Sequence, residues 1–263
     1  MSEIIAITNQ KGGVGKTTTA YNLASALSRY NKRILLVDLD PQGNCSNAIG
    51  VDPTVIKKTV AELLLGTIDL KKAIRKTCYG NISLIPANLS LAMVESSLLS
   101  QGKPTSFNIL RDKLHEKECR LFDFIIIDCP PSLGFLSLNA LTASDSVLVP
   151  VQCEYFALDA LAQLLSTISQ VQRTTNPNLE ILGLLLTMFD SRTKLSTDIA
   201  QEVRVTFKEK VFTTVIPRNV SIPEAIAESM PVNEYKPTSA GSLTYAALAR
   251  EVMEYVEKKN GKN

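Results

Sequence analysis

The sequence predicts a doubly wound α/β fold, a mostly parallel sheet flanked by helices on both faces. Apolar runs of five to eight residues recur along the chain without inside/outside alternation, and helical patterns separate most of them. Strands covered on both faces read as such runs, and the helices between them serve as right-handed crossovers. With 45% hydrophobic and 21% charged residues among 263, and 12 Gly and 12 Pro, the composition is that of an ordinary globular chain, not a disordered or fibrous one.

The elements follow in order. Ile4–Thr8 (IIAIT) is a short buried strand that ends at a glycine-rich turn. Thr17–Arg29 reads as a helix with Ala20, Leu23, Ala24 and Leu27 on one face. Arg33–Asp38, Ile82–Pro86, Phe122–Asp128, Ser146–Val151, Glu180–Thr187 and Val211–Ile216 read as further buried strands, with Leu158–Arg173 and Ser196–Lys208 as helices between them. Glu95–Asn108 is polar and reads as a surface connection. A last helix is expected over Ser242–Glu257, and the polar tail 258–263 (KKNGKN) is expected to fray. No composition shift marks a boundary, so residues 1–257 read as a single domain.

Charge and cysteines exclude several classes. The net charge is +2, and the pI of about 8.2 is below that of a strongly basic nucleic-acid binder. The five cysteines are scattered without a C-x-x-C pair, which argues against a disulfide framework or a zinc ribbon and for reduced, mostly buried thiols. There is no signal-peptide pattern and no membrane-length apolar run, so a soluble, cytoplasmic protein is expected. The lone histidine, His115, falls in the charged stretch RDKLHEKECR and reads as part of a solvated helix face.

Three segments carry chemistry. Lys11-Gly12-Gly13-Val14-Gly15-Lys16-Thr17-Thr18 stands where strand gives way to helix. Glycines let backbone amides converge on phosphate oxygens at a helix N-terminus, Lys16 reaches the β- and γ-phosphates, and the Thr17 hydroxyl ligates Mg²⁺. The ordinary pattern wants glycine at position 10, but Gln10 stands there, and a second lysine, Lys11, opens the loop. Asp38-Leu39-Asp40-Pro41 ends the second strand, with two carboxylates at i and i+2 facing the ligand crevice. One suits Mg²⁺ through water, the other an attacking water. Ile125–Asp128 is an apolar strand ending in an acid, the Walker B arrangement, with Asp128 reaching Mg²⁺ directly or through water. Strand, phosphate loop and acid together point to a P-loop NTPase type of fold.

These segments resemble the ParA/MinD superfamily of deviant Walker A ATPases, and within it the Soj-like chromosomal ParA group. NQKGGVGKTTTAYNLA, LLVDLDPQGN, FIIIDCPPSLGFLSLNALTASDSVLVPVQCEY, LLTMFDSRT and VIPRNVSIPEA carry the likeness, which runs from about residue 2 to 257; residues 52–80 and 95–120 carry little of it. The resemblance implies an ATP hydrolase that closes as a face-to-face homodimer around ATP and Mg²⁺. It implies that Lys11 reaches the partner's phosphates, that Asp40 positions the attacking water and that Asp38 is the outer-shell magnesium residue. Pro217 and Asn219 are implied as adenine contacts. It further implies sequence-independent DNA binding by the ATP-dimer, hydrolysis stimulated by a ParB-type partner, and a cytoplasmic protein that is nucleoid-associated with ATP. The chain is expected to lack the N-terminal helix-turn-helix of the larger plasmid ParA proteins.

The chain departs from close members at one position. They carry one arginine in the LLTMFDSRT segment and another just after IPRN; this chain keeps Arg192 but has Ser221 at the second. Arg192 and Arg218 are therefore the expected DNA contacts, with Lys194 nearby. A MinD-like membrane cycle fits less well, because Glu251, Glu254 and Glu257 interrupt the last helix, and no stable membrane association is expected. An iron–sulfur relative would need two placed cysteines, whereas Cys129 is followed by Pro130 and Pro131. A nucleotide-gated scaffold without turnover is the non-enzymatic alternative.

Overall fold

The computed structural model of the protein describes residues 2–100, 107–155 and 157–261. Its strands are β1 (Glu3–Ile7), β2 (Ile34–Asp38), β3 (Arg75–Lys76), β4 (Ile82–Ile85), β5 (Phe124–Asp128), β6 (Ser146–Gln152) and β7 (Glu180–Thr187). They form one seven-stranded sheet in the order β3-β4-β2-β5-β1-β6-β7. Every neighbouring pair is parallel except β3 with β4. The chain leaves β1 toward one edge and later returns past it to build the other, so the crevice lies at the C-terminal end of β1, where ligands bind in open α/β sheets.

The helices are α1 (Lys16–Arg29), α2 (Asn44–Ala48), α3 (Val60–Leu64), α4 (Leu70–Ala73), α5 (Ser90–Ser100), α6 (Ile109–Leu114), α7 (Phe135–Ala143), α8 (Ala157–Thr174), α9 (Lys194–Phe207), α10 (Ser221–Ala227), α11 (Val232–Tyr235) and α12 (Ala240–Asn260). Successive side chains of a strand point to opposite faces, which splits the apolar interior in two. Ile5, Ile7, Leu36 and Ile126 pack with Leu23, Leu27, Tyr245 and Val252 of α1 and α12. Ile4, Ala6, Val37 and Ile127 pack against the other face with Leu98, Leu114, Leu136 and Leu164 of α5 to α8. The strands other than β3 bury on both sides, as their unbroken apolar runs require.

Three expectations change. Val211–Ile216 is not a strand; in place of a ladder, the isolated bridges Leu184–Val211 and, just beyond both segments, Phe189–Pro217 join it to the β7 side. The amides of Phe212 and Ile216 do donate to Leu184 and Leu186. Those of Thr213 and Thr214 turn away and donate to the Glu251 carboxylate of α12, so no ladder forms. Glu95–Asn108 is not all connection, since α5 takes it as far as Ser100 and residues 101–106 lie outside the described residues. The last helix continues to Asn260, through half of the tail expected to fray, and Lys259 donates to Glu3 at 3.1 Å. Cys45, Cys119, Cys129 and Cys153 are buried free thiols, as expected, and Cys78 is exposed.

Gly183 shows how the irregular segment is held. A Cβ there would stand 2.7 Å from the Phe212 ring, so the ring packs directly on the β7 backbone. Gly183→Val is expected to destabilise the protein by about 1–3 kcal/mol through overpacking, read as a lower denaturant midpoint at unchanged slope.

Candidate active site

The phosphate loop joins β1 to α1. Gly15, at φ +89, is the residue before the helix, a left-handed conformation that glycine adopts at least cost. No side chain caps α1 and no acid stands in its first turn, so its leading amides and its dipole are left for an anion. Two residues that pattern reading passed over hold the loop in place. Asn9, buried, donates to the Pro150 carbonyl at 2.7 Å and accepts from the Lys11 amide at 3.0 Å. Thr187, ending β7, donates to the Val14 carbonyl at 2.9 Å. Neither has a sequence signal beyond its place at a strand end.

Lys16 is buried and donates its Nζ to the Lys11 carbonyl at 3.2 Å, folding back over the loop. Burial lowers its pKa, while Asp128, Cys129 and Asp40 oppose that fall. Thr17 and Thr18, half-buried, follow it in the first turn of α1.

The acids come together as the pattern predicts. Asp38 and Asp128 are register partners at the ends of adjacent strands, and Ile7, the last residue of β1, pairs with Asp128. Both are fully buried. Asp38 is nonetheless well satisfied: it accepts from the Ser46 amide at 2.8 Å, the Ser46 hydroxyl at 2.7 Å and the Asp40 amide at 3.2 Å. Burial still pushes it up to about 6, against those bonds. Neither carboxylate oxygen of Asp128 has a hydrogen-bond partner. Its pKa is raised well above the usual range by burial first and then by the charge of Asp38; the nearby Thr17 hydroxyl and Lys16 ammonium offset this in part. Asp40 lies just past the strand and accepts from the Gln42 amide at 3.0 Å. Ser46 is a third residue that sequence reading missed; it follows Asp40 by six positions and reveals itself only when α2 folds back.

The adenine-side candidates stand at the β7 end of the crevice. Gly15 lies against Thr187 and Met188, and the next residue, Phe189, bridges to Pro217. The Asn219 side chain accepts from the Ser221 amide at 2.9 Å and so fixes the start of α10. Lys11 reaches Glu154 at 3.7 Å, and Arg218 lies 4.0 Å from the same carboxylate. Both expected DNA residues are exposed, and each lies beside an acid. Arg192 is exposed but folds onto Asp190 with two bonds of 2.8 and 2.7 Å. Ser221 is buried. His115 is exposed at the end of α6. Among the described residues no three His, Cys, Asp or Glu side chains form a metal cage.

Comparison with known proteins matches this arrangement. The family model of an AAA domain matches residues 2–181. The sporulation initiation inhibitor protein Soj of Bacillus subtilis is 48% identical over 96% of this chain and 98% of its own. The chromosome partitioning protein ParA of Caulobacter vibrioides is 47% identical over 95% and 93%. Among solved structures, cobyrinic acid a,c-diamide synthase from Mycobacterium smegmatis, with bound ATP analogue and magnesium, superposes with a TM-score of 0.86 at 39% identity over 98% and 96% of the two chains. MinD of Pyrococcus horikoshii, complexed with Mg-ADP, gives 0.75 at 27% over 96% of each. A phosphate loop, two strand-end acids and full-length kinship thus converge: the chain is an ATP-hydrolysing P-loop enzyme that belongs to the Soj/ParA family of chromosome-partitioning ATPases.

Proposed function

We propose that the protein drives DNA partition through an ATP-gated cycle: ATP closes a homodimer, the dimer binds DNA without sequence preference, and hydrolysis stimulated by a ParB-type partner resets it. The observation that carries the chemistry is Asp128, a fully buried carboxylate with both oxygens unpartnered, beside Asp38 at the mouth of the phosphate loop. An orphaned buried acid is costly unless a cation meets it. Mg²⁺ fits: it is typically held by one or two carboxylates together with substrate phosphates rather than by an all-protein cage.

Asp128 and the Thr17 hydroxyl would hold that ion, with Asp38 acting from the outer shell because Ser46 and the Asp40 amide already occupy its oxygens. When bound, Mg²⁺ neutralises the β,γ-phosphates. The protein supplies the rest. The amides from Gly12 to Thr18 cradle the phosphates, and Lys16 swings from the Lys11 carbonyl to the β/γ oxygens. Pro217 and Asn219 border the adenine. Asp40 orients a water in line with the γ-phosphorus; the P–O bond to ADP breaks as the bond to water forms. The transition state is loose, so orientation and charge matter more than early proton removal. Lys11 leaves Glu154 to neutralise the partner's transferring phosphoryl group. Such a cycle places the protein in the cytoplasm and on the nucleoid while ATP is bound, without stable membrane association. Among the described residues no helix is long and apolar enough to cross a membrane.

Lys16→Ala is expected to weaken ATP binding about tenfold to a hundredfold, the loss of a charged hydrogen-bonding group, in an equilibrium titration with labelled ATP. Unchanged affinity would refute the phosphate-loop assignment. Asp40→Ala should keep ATP affinity, slow phosphate release by about a hundredfold or more, and leave a persistent dimer on size-exclusion chromatography with ATP. Lys11→Ala should bind ATP yet elute as a monomer in the same experiment. A monomeric Asp40 variant or a dimeric Lys11 variant would contradict these roles.

A further inference from the structure

One stretch of twenty residues carries a large charge imbalance. From Lys57 to Lys76 there are six basic residues (Lys57, Lys58, Lys71, Lys72, Arg75 and Lys76) and two acidic ones, Glu62 and Asp69. The stretch is thus +4 in a chain of net +2, so the remainder is net negative. All six basic side chains are exposed. The two acids are engaged locally. Glu62 accepts from the Thr59 amide and hydroxyl at 2.9 and 2.6 Å in the capping box of α3, and Asp69 pairs with Lys72 at 3.3 Å. Among the described residues, no ion pair within 4.0 Å holds the other five.

The fold gathers these charges at one edge of the sheet. β3, which carries Arg75 and Lys76, is the outermost strand and pairs only with β4. A cavity of about 470 Å³ is lined by Asp52, Val55 and Ile56 on one side and by Arg75, Lys76 and Cys78 on the other. It brings the loop ending in Lys57 and Lys58 beside that strand. The same loop rests on the catalytic acids' own turn. A Cβ on Gly43, at φ +65, would stand 2.7 Å from Pro53, and the Gly43 amide donates to the Asp40 carbonyl at 2.9 Å. The loop that leads into Lys57 and Lys58 is therefore packed onto the turn that carries Asp40.

The chemistry of the patch selects its partner. Free ammonium and guanidinium groups on loop, helix and strand match a repeating phosphate polyanion. A lipid surface would call for bulky apolar side chains among the charges, but only Val55 and Leu65 are exposed there. Single strands are gripped by exposed aromatic platforms, and the aromatic side chain nearby, Tyr79, is turned inward to donate to the Ser229 carbonyl at 3.0 Å. Arg192, by contrast, is already paired with Asp190.

We infer that the Lys57–Lys76 edge is a docking surface for the phosphate backbone of duplex DNA, a reading that rests on the proposed DNA-dependent cycle and adds to it a face apart from Arg192 and Arg218. The test measures retention of a random-sequence duplex against salt, with ATP and Mg²⁺. It compares wild type, Lys71→Gln/Arg75→Gln/Lys76→Gln, and a control with the same charge change elsewhere, Lys117→Gln/Arg120→Gln/Lys236→Gln. A second patch variant, Lys57→Gln/Lys58→Gln, draws on the loop alone. Each phosphate left without its cation flattens the slope of log affinity against log salt by about 0.9, so the triple patch variant should flatten it by about 2.7 per chain and weaken retention about tenfold or more. The control should behave as wild type, and all variants should keep basal ATP hydrolysis, which reports that they fold. Patch variants that retain DNA as well as the control overturn the inference while leaving the cycle standing. A wild type that ignores DNA, or that binds anionic vesicles or polyglutamate instead, overturns the DNA reading itself.

Discussion

Two carboxylates lie side by side where water does not reach them. Asp38 and Asp128 end β2 and β5 in register, both fully buried. Charges so placed repel, and each costs several kcal/mol to strip of water unless it finds a partner. The fold answers differently for the two. Asp38 receives three hydrogen bonds, and in accepting them it draws Ser46, α2 and the Asp40 turn into place. Asp128 receives none, and its environment favours the protonated form until positive charge arrives. The two acids thus differ in kind, one held by hydrogen bonds and one without them, while the nearby Lys16 donates to the Lys11 carbonyl.

The other side of the crevice is built with fewer regular bonds. The segment after α9 runs along β7 without becoming a strand, because Glu251 of α12 takes two of its amides. What it gains is a connection: Ile216 and Arg218 pair with Leu186 and Phe189, so the Pro217–Asn219 turn is carried by the strand whose end also clamps the phosphate loop through Thr187. A disturbance of α12 near Glu251 would pass to that turn and through it to the nucleotide side of the site.

Much of this was legible in the sequence, for physical reasons. Doubly buried strands leave continuous apolar runs, and six of the seven predicted runs are strands of the sheet. The phosphate loop and the acids Asp38 and Asp128 were legible because the fold class fixes their positions at strand ends, and Asp40 follows two residues on. The seventh run failed because apolar content says nothing about where amides bond, and the competing acceptor lay some forty residues onward. β3 escaped notice because two exposed, charged residues have no apolar signature, although they cap the sheet. The short helices α2 to α4 are set by tertiary packing more than by period. The pairing of Arg192 was hidden for a related reason: an arginine two residues from an aspartate is as ready to close on its neighbour as to reach outward, and here it closes on Asp190.

The tie between Glu3 and Lys259 has its own consequence. It fastens the last turns of α12 to the opening residues of β1, with Ser146 also holding Glu3 and Glu180 beside Lys259. Both described extremities of the chain therefore emerge together at the N-terminal ends of the strands, on the reverse side from the nucleotide crevice. A fluorophore, affinity handle or surface tether attached near Glu3 or Lys259 would stand behind the molecule, leaving the nucleotide crevice open.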